Sequence, residues 1–227
     1  YPYDDFVDTT GTVLTSHSIP YDTGFSWVNG EGAFKCNSGG WAELNSGADS
    51  LSVIDMGETD LEIAAEITTS AAGTTSTYES GLVLRYVDID NYLYVRIVTA
   101  SNHIEIRKVI GGTDSLAGTG TADSQVSYTW GAGVKKKIGA EIHGNTIRLF
   151  IDDAKVYPDS GGDGGNYQGF KLSGASALDD ATKHGIYAQQ HGTDVKFFEF
   201  GGFRPLFRGT LKEITPRPQK GMIFLRI

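Results

Sequence analysis

Aromatic and cationic side chains alternate with aliphatic ones along residues 91–98. A period of two puts Tyr92, Tyr94 and Arg96 on one face of a predicted strand, opposite three aliphatic side chains. Aromatic rings beside polar groups suit sugar recognition, because a ring packs on the sugar while polar groups bond its hydroxyls. We therefore predict a glycan-binding surface, with ordinary sheet packing beneath a loop as the alternative. The candidate residues are Tyr92, Tyr94, Arg96, Arg107, Trp130 and Arg148.

Three of these candidates come from elsewhere in the chain. We expect Arg107 and Arg148 on strands beside residues 91–98, where their guanidinium groups would extend the same polar face. Trp130 is followed by Gly-Ala-Gly, which is typical of a loop. The sequence therefore predicts an indole in a loop that takes part in glycan binding.

Acid–base hydrolysis is a second chemistry that the residue types allow. Glycosidases place two carboxyl groups about 5–10 Å apart across the bond that breaks. Glu62 and Glu66 share the outward face of one predicted strand, and we expect Glu105 or Glu141 beside them. The chain has no Glu-x-Asp-x-x-Glu motif and no Gly-x-Ser-x-Gly motif. We interpret these acids as a solvated strand face and predict that the protein is not an enzyme.

Calcium is the one cofactor that the sequence suggests. Calcium takes several oxygen ligands, and Asp88, Asp90 and Asn91 supply three within four residues. The alternative is turn capping, which Asp and Asn also favour. Two further sets have the same composition: Asp4, Asp5 and Asp8, and Asp159, Asp163 and Asn166.

Composition narrows the other classes of partner. The net charge of −9 disfavours nucleic acid, whose phosphates an acidic surface repels. No apolar run reaches about 18 residues, so we predict no membrane span. Cys36 is the single cysteine, which excludes an intrachain disulfide and indicates a buried thiol.

The last 24 residues differ in charge from the rest. Residues 204–227 hold six Lys or Arg against one acid, on a chain that is acidic as a whole. Their end, residues 222–227, is strongly apolar. We predict a body at 1–203 and a basic arm at 204–227 that docks on a partner and makes the protein a homo-oligomer. The alternative is that the arm packs on its own body, with its apolar end as a final strand. The proposed docking residues are Arg204, Arg208, Lys212, Met222, Ile223, Phe224 and Leu225.

The elements that must position these residues are strands. The 227 residues include 30 glycines, and turn-forming residues separate short segments of period two. This pattern predicts an all-β, two-sheet antiparallel sandwich, with a helical turn at 178–182 as the exception. The predicted strands are 61–67, 81–87, 91–98, 103–109, 137–142, 145–151, 185–190 and 195–203.

Four segments, in order, resemble the concanavalin A-like (laminin G-like) jelly roll. The opening has an Asp-x-Phe-like start followed by Trp27, and a Gly-apolar-x-apolar-Arg strand begins at Gly81. A hairpin that ends at Asp152-Asp153 stands where the family has an Asp-Gly turn. The four matching segments are 5–27, 81–92, 142–152 and 185–200.

The resemblance implies a fold and a range of roles. Such domains include lectins, carbohydrate-binding modules, hydrolases and particle proteins of tailed bacteriophages, and fold alone does not choose among them. The opening is most similar to modules of phage particles and bacterial surface proteins. We therefore expect a structural or adhesive module of a virion surface or another extracellular assembly, which binds cell-surface glycans. The alternatives are a free carbohydrate-binding module or lectin and, after these, a glycan-active hydrolase or lyase.

Overall fold

The computed structural model describes residues 2–20, 24–45, 49–68, 79–131, 133–158, 169–189 and 195–203. The arm predicted at 204–227 and the acidic set at 159–166 lie outside these residues. In the described part the strands are β1 Tyr3–Asp4, β2 Trp27–Glu31, β3 Phe34–Asn37, β4 Trp41–Leu44, β5 Ser50–Asp55, β6 Glu62–Thr68, β7 Glu79–Asp88, β8 Asn91–Val98, β9 His103–Ile110, β10 Thr113–Leu116, β11 Gln125–Ser127, β12 Lys135–His143, β13 Thr146–Ile151, β14 Ala154–Val156, β15 Phe170–Lys171, β16 Lys183–Ala188 and β17 Lys196–Phe203.

The strands form two antiparallel sheets, which confirms the predicted all-β sandwich. The nine-stranded sheet has the order β14-β13-β12-β6-β17-β4-β3, with β1 beside β17 and β15 beside β13. The eight-stranded sheet has the order β10-β9-β8-β7-β16-β5-β2, with β11 beside β9. The main core lies between them and contains the inward side chains of both sheets.

The aliphatic side chains of β8 point inward, as its period of two predicts. Leu93, Val95 and Ile97 of β8 are buried in the core, because alternate side chains of a strand point to one face. Cys36 is also fully buried, as the sequence predicts. No helix in the described ranges is long and apolar enough to cross a membrane.

Helical structure is short where it occurs. A single turn, α1, spans Thr121–Ser124, and 3₁₀ turns span Leu14–Ser16 and Ser176–Leu178. The predicted turn at 178–182 therefore overlaps the observed one only at Leu178. The error has a local cause, since Ala175 begins the turn before the acidic residues that indicated it.

Two hairpins form without glycine at their tightest positions. Asn102 joins β8 to β9 with a φ of 54°, and Asp152 and Asp153 join β13 to β14 with φ of 49° and 65°. Asn and Asp tolerate the left-handed region better than most residues. The predicted 137–151 hairpin is confirmed, and its register pairs Ile138 with Ile151.

A β-bulge in β7 changes which face its side chains occupy. Arg85 has a φ of 48°, and the pairing of β7 with β8 shifts register after Leu84. Tyr86 consequently joins the outer face rather than following Leu82 and Leu84 into the core. The buried Arg85 guanidinium forms ion pairs with Asp60 at 2.7 Å and Asp179 at 3.0 Å.

A buried network holds the N-terminal segment to the sandwich. The His17 ring lies between Asp4 and Asp8, with both nitrogen–oxygen distances at 2.9 Å, and Trp27 Nε1 donates to Asp4 at 2.7 Å. Burial alone would lower the pKa of His17, but hydrogen bonds with Asp4, Cys36 and Asp8 raise it to about 11. The ring is therefore a buried cation between two carboxylates.

Candidate functional site

Four tyrosines lie together on the outer face of the eight-stranded sheet. Tyr92 and Tyr94 are on β8, Tyr86 is on β7 and Tyr187 is on β16. Their ring centroids form a chain, at 6.0 Å from Tyr86 to Tyr92, 5.5 Å on to Tyr94 and 5.1 Å on to Tyr187. We call this surface the tyrosine face.

Two glycines make room for the rings. Gly81 of β7 pairs with Arg96 on one side and Tyr187 on the other, and Gly185 of β16 pairs with Val83. Because neither position has a side chain, the rings of Tyr94 and Tyr187 approach each other across β7. At the sheet edge, a Cβ on Gly30 would lie 2.8 Å from the Tyr86 hydroxyl oxygen, so glycine lets this ring cover β2.

The tyrosine face presents hydroxyls rather than open rings. Each of the four side chains is at most 9% exposed, so the rings are buried against one another and against the aliphatic residues of the same cluster. The Tyr94 hydroxyl donates to Asp114 at 3.1 Å. The hydroxyls of Tyr86, Tyr92 and Tyr187 bond no described residue. Among the described residues, Ser80 Oγ is the only side-chain polar atom that is both buried and without a hydrogen bond, so these hydroxyls are not buried. These three hydroxyls therefore reach the surface.

A network of ion pairs, which we call the arginine network, lies beside the rings. Arg96 donates from Nη1 to Glu79 at 2.6 Å and from Nε to Glu105 at 2.8 Å. Arg107 contacts Glu105 at 3.2 Å and binds both carboxylate oxygens of Asp114. The network therefore fixes both guanidinium groups in planes set by several charged hydrogen bonds.

Burial perturbs the ionisation of this surface. Desolvation, together with the smaller effects of the Glu31 and Asp114 charges, raises the pKa of Tyr92 to about 12. Desolvation also raises the pKa of Glu79, although the adjacent Arg96 charge opposes that rise. At neutral pH the tyrosines are therefore protonated donors. Such clustering of shifted groups is typical of functional sites.

The structure brings together four of the six predicted glycan-binding residues. Tyr92, Tyr94, Arg96 and Arg107 share the outer face, since Tyr94 pairs with Arg107 between β8 and β9. Sequence reasoning missed Tyr86, Tyr187, Glu79 and Asp114. Gly185-Ile186-Tyr187 was visible as a strand, but its pairing with β7 was not.

Trp130 and Arg148 do not lie at this site, so both predictions were wrong in placement. The Trp130 indole is 2% exposed and packs in the main core, with Nε1 donating to the Val134 carbonyl at 3.3 Å. Glycines after Trp130 do mark a loop, but the ring turns inward. Arg148 is on β13 of the other sheet, where it pairs with Glu141 at 3.1 Å.

The predicted carboxylate grouping also needs correction. Glu62 does face Glu141 between β6 and β12, but Glu105 belongs to the opposite sheet and cannot join them. Glu66 forms an ion pair with Lys135 at 2.6 Å. These acids belong to an outer surface that we call the charged face, with members Glu62, Glu66, Lys135, Lys137, Glu141 and Arg148.

Oxygens of the predicted calcium ligands make turn hydrogen bonds. Asp88 Oδ1 accepts from the Asp90 amide at 2.9 Å and from Asn91 Nδ2 at 2.8 Å. Asp4 and Asp8 bond His17, as described above. Among the described residues, no three His, Cys, Asp or Glu side chains are grouped to hold a metal ion. Calcium binding at 88–91 stays a prediction.

Comparison with known proteins places the fold. No protein-family model matches the chain, and no curated protein matches its sequence. The carbohydrate binding module CBM66 from Bacillus subtilis matches with a TM-score of 0.53 and 14% identity, over 76% of this chain and 91% of that one. Bacillus licheniformis β-glucanase matches with a TM-score of 0.51 and 8% identity, over 89% and 96%. With its two antiparallel sheets, the chain has the concanavalin A-like jelly-roll sandwich fold.

Proposed function

We propose that this protein is a non-catalytic glycan-binding module and that the tyrosine face holds the glycan. The observation that carries the proposal is the row of three surface hydroxyls beside two fixed guanidinium groups. Sugar hydroxyls both donate and accept hydrogen bonds, as phenols do. Because the side chains are packed before binding, little conformational entropy remains to be lost.

The similarity to a carbohydrate binding module supports this proposal at the level of architecture. The two chains share a sandwich of comparable extent, since most of each chain is covered. Fold likeness sets the scaffold, while the residues of the tyrosine face must supply the specificity.

Removal of hydroxyls tests the proposal without emptying the cluster. Binding to a glycan array, followed by calorimetry on the best glycan, is compared for the native chain and the Tyr92→Phe/Tyr187→Phe double variant. Each lost hydrogen bond contributes about 0.5–1.5 kcal/mol, so affinity should fall about tenfold or more. Tyr157→Phe, at an exposed tyrosine beside Lys155, is the matched control. Unchanged affinity in the double variant, or an array without any bound glycan, contradicts the proposal.

Glycoside hydrolysis is a second candidate, because Glu79 and Glu105 lie on the same face and burial raises the pKa of Glu79. The similarity of fold to a β-glucanase also fits it. Arg96, however, contacts both carboxylates, and so neither is free to exchange a proton with a substrate. Release of reducing sugar that stops in Glu79→Gln would favour the enzyme.

We propose separately that the module belongs to a virion surface or another extracellular assembly, joined through residues 204–227. This rests on the charge and apolar end of that segment, which lies outside the described residues. Sedimentation of the full chain and of residues 1–203 tests it. The full chain should form homo-oligomers and the shortened chain should be monomeric. The same oligomeric state for both chains would show that residues 204–227 take no part in assembly.

A further inference from the structure

Acidic groups outnumber basic groups on the tyrosine face and its rim. The register of β2, β5, β7–β10 and β16 places three cations and six carboxylates there. The members are Arg96, Arg107 and Lys183 against Glu31, Asp49, Asp55, Glu79, Glu105 and Asp114. The face therefore carries an excess of negative charge, which attracts cationic ligands and repels anionic ones.

The two guanidinium groups do not make the face favourable to anionic ligands, because carboxylates of the face already bind them. Arg96 is shared by Glu79 and Glu105, and Arg107 is shared by Glu105 and Asp114. An acidic sugar would have to displace one of these carboxylates from a hydrogen-bonded pair. Where the displaced carboxylate is Glu79 or Glu105, it would stay buried without that cation, which is strongly unfavourable.

The negative charge is concentrated at one end of the tyrosine row. Glu31 pairs with Leu51 across the β2–β5 edge, and Asp49 precedes β5 on the same face. Among the described residues Glu31 has no basic partner. Burial raises its pKa, and the neighbouring Asp49 charge raises it further. Two carboxylates that repel each other form a natural site for a cation between them.

Phenol groups without a hydrogen-bond partner among the described residues lie near these two acids. Tyr86, Tyr92 and Tyr187 are each more than nine-tenths buried, and their hydroxyls bond no described residue. The phenols and the acids are close, because Gly30, next to Glu31, lies against the Tyr86 hydroxyl and Leu51 pairs with Glu31 on one side and with Tyr187 on the other. The charges of Glu31 or Asp49 accordingly raise the pKa of Tyr86, Tyr92 and Tyr187. Phenol oxygens and aromatic rings both favour a nearby ammonium group.

We propose that the tyrosine face selects saccharides with a free amino group, whose ammonium binds between Glu31 and Asp49. This inference rests on the glycan-binding role proposed above. The hydroxyls of Tyr86, Tyr92 and Tyr187 accept from the ammonium or bond the adjacent sugar hydroxyls. Arg96 and Arg107 remain in their ion pairs and hold the platform. N-acetylation removes the charge and with it the contribution of the acidic end.

Calorimetry with three oligosaccharides of equal length tests the inference. The probes are a glucosamine oligomer, its N-acetylated form and a uronic acid oligomer, in mildly acidic buffer that keeps the amine protonated. We expect the amine form to bind about tenfold more tightly than the acetylated form, and the uronic acid form to bind least. The preference should shrink as salt is raised, because the acidic end is at the surface.

Variants separate this inference from the general glycan role. Glu31→Gln/Asp49→Asn should abolish the preference for the amine while affinity for the acetylated form stays the same. Asp153→Asn, which removes an exposed acid from the other sheet, should change neither. Equal binding of amine and acetylated forms, or an intact preference in the double variant, overturns the ammonium site alone. Absence of binding to every glycan on the array overturns both proposals.

Discussion

The outer faces of the two sheets use the same residue types in different ways. On the tyrosine face and its arginine network, Glu79 and Glu105 are 5% and 7% exposed, and their cations are shared between acids. On the charged face, Lys137 pairs with Asp153 when the two side chains are 41% and 81% exposed. A buried network keeps one geometry, whereas water competes for every pair on the other sheet. Burial, more than composition, distinguishes a candidate binding surface from an ordinary sheet exterior.

Loss of one arginine should reveal the largest difference between the faces. Arg96→Ala leaves Glu79 and Glu105 buried without their shared cation, which should cost about 3–5 kcal/mol in unfolding free energy. Arg148→Ala breaks a partly exposed pair on the charged face and should cost about 0–1 kcal/mol. Urea denaturation measures both. Similar losses would mean that the two networks do not differ in kind.

Truncation of a tyrosine on each side is the next test. Tyr187→Ala opens a cavity beside Tyr94 and should lower the unfolding free energy by about 3 kcal/mol. Tyr157 is 39% exposed, and Tyr157→Ala should stay within about 0.5 kcal/mol of the native chain. Thermal denaturation followed by near-ultraviolet circular dichroism checks the pair. A mild effect at Tyr187 would show that the rings are loosely packed.

Acid titration should change the contributions of the two surfaces to stability in opposite directions. Burial raises the pKa of Glu79 above 4.5, so its contribution to stability is present below pH 4.5 and is lost as pH rises through the raised value. The Lys137 amide lowers the pKa of Asp152 below 3.8, so that contribution exists above pH 3.8 and is lost as pH falls. Urea denaturation from pH 3 to 7, with Glu79→Gln and Asp152→Asn, measures each term. Differences of the same sign would contradict this assignment.

A rise in salt concentration should produce the smallest difference between the two faces. A double-mutant cycle on Lys137 and Asp153 should give a coupling of about 0.2–1 kcal/mol at low salt and almost none at about 1 M salt. The same cycle on Arg107 and Asp114 should retain most of its coupling, because three hydrogen bonds fix the guanidinium. Equal sensitivity to salt would show that the arginine network is as solvated as the charged face.

Much of the sandwich could be predicted from periodicity alone. The alternation along β8 separated Tyr92 and Tyr94 from the core residues correctly, because a strand has a strict period of two. The same rule would misplace Tyr86, since the bulge at Arg85 reverses the alternation at a residue with no local sign of it. A glycine there would have been a warning, but arginine is not.

The candidate site was less predictable than the fold. Which strands become neighbours depends on connections over long sequence distances, so Arg148 and Glu105 were assigned to the wrong sheets. Tyr187 reaches Tyr94 through β7, from about 90 residues away along the chain. Trp130 shows the remaining limit, since a loop position does not determine which way a large ring turns.

The position of β17 has a consequence for how the chain is made. This strand, at residues 196–203, lies between β6 and β4 inside the nine-stranded sheet and also holds β1. A ribosome releases it after every other described strand, so β1 cannot pair until β17 has been made. Until then β6 and β4 both have open edges, which favours chaperone binding over early folding during translation.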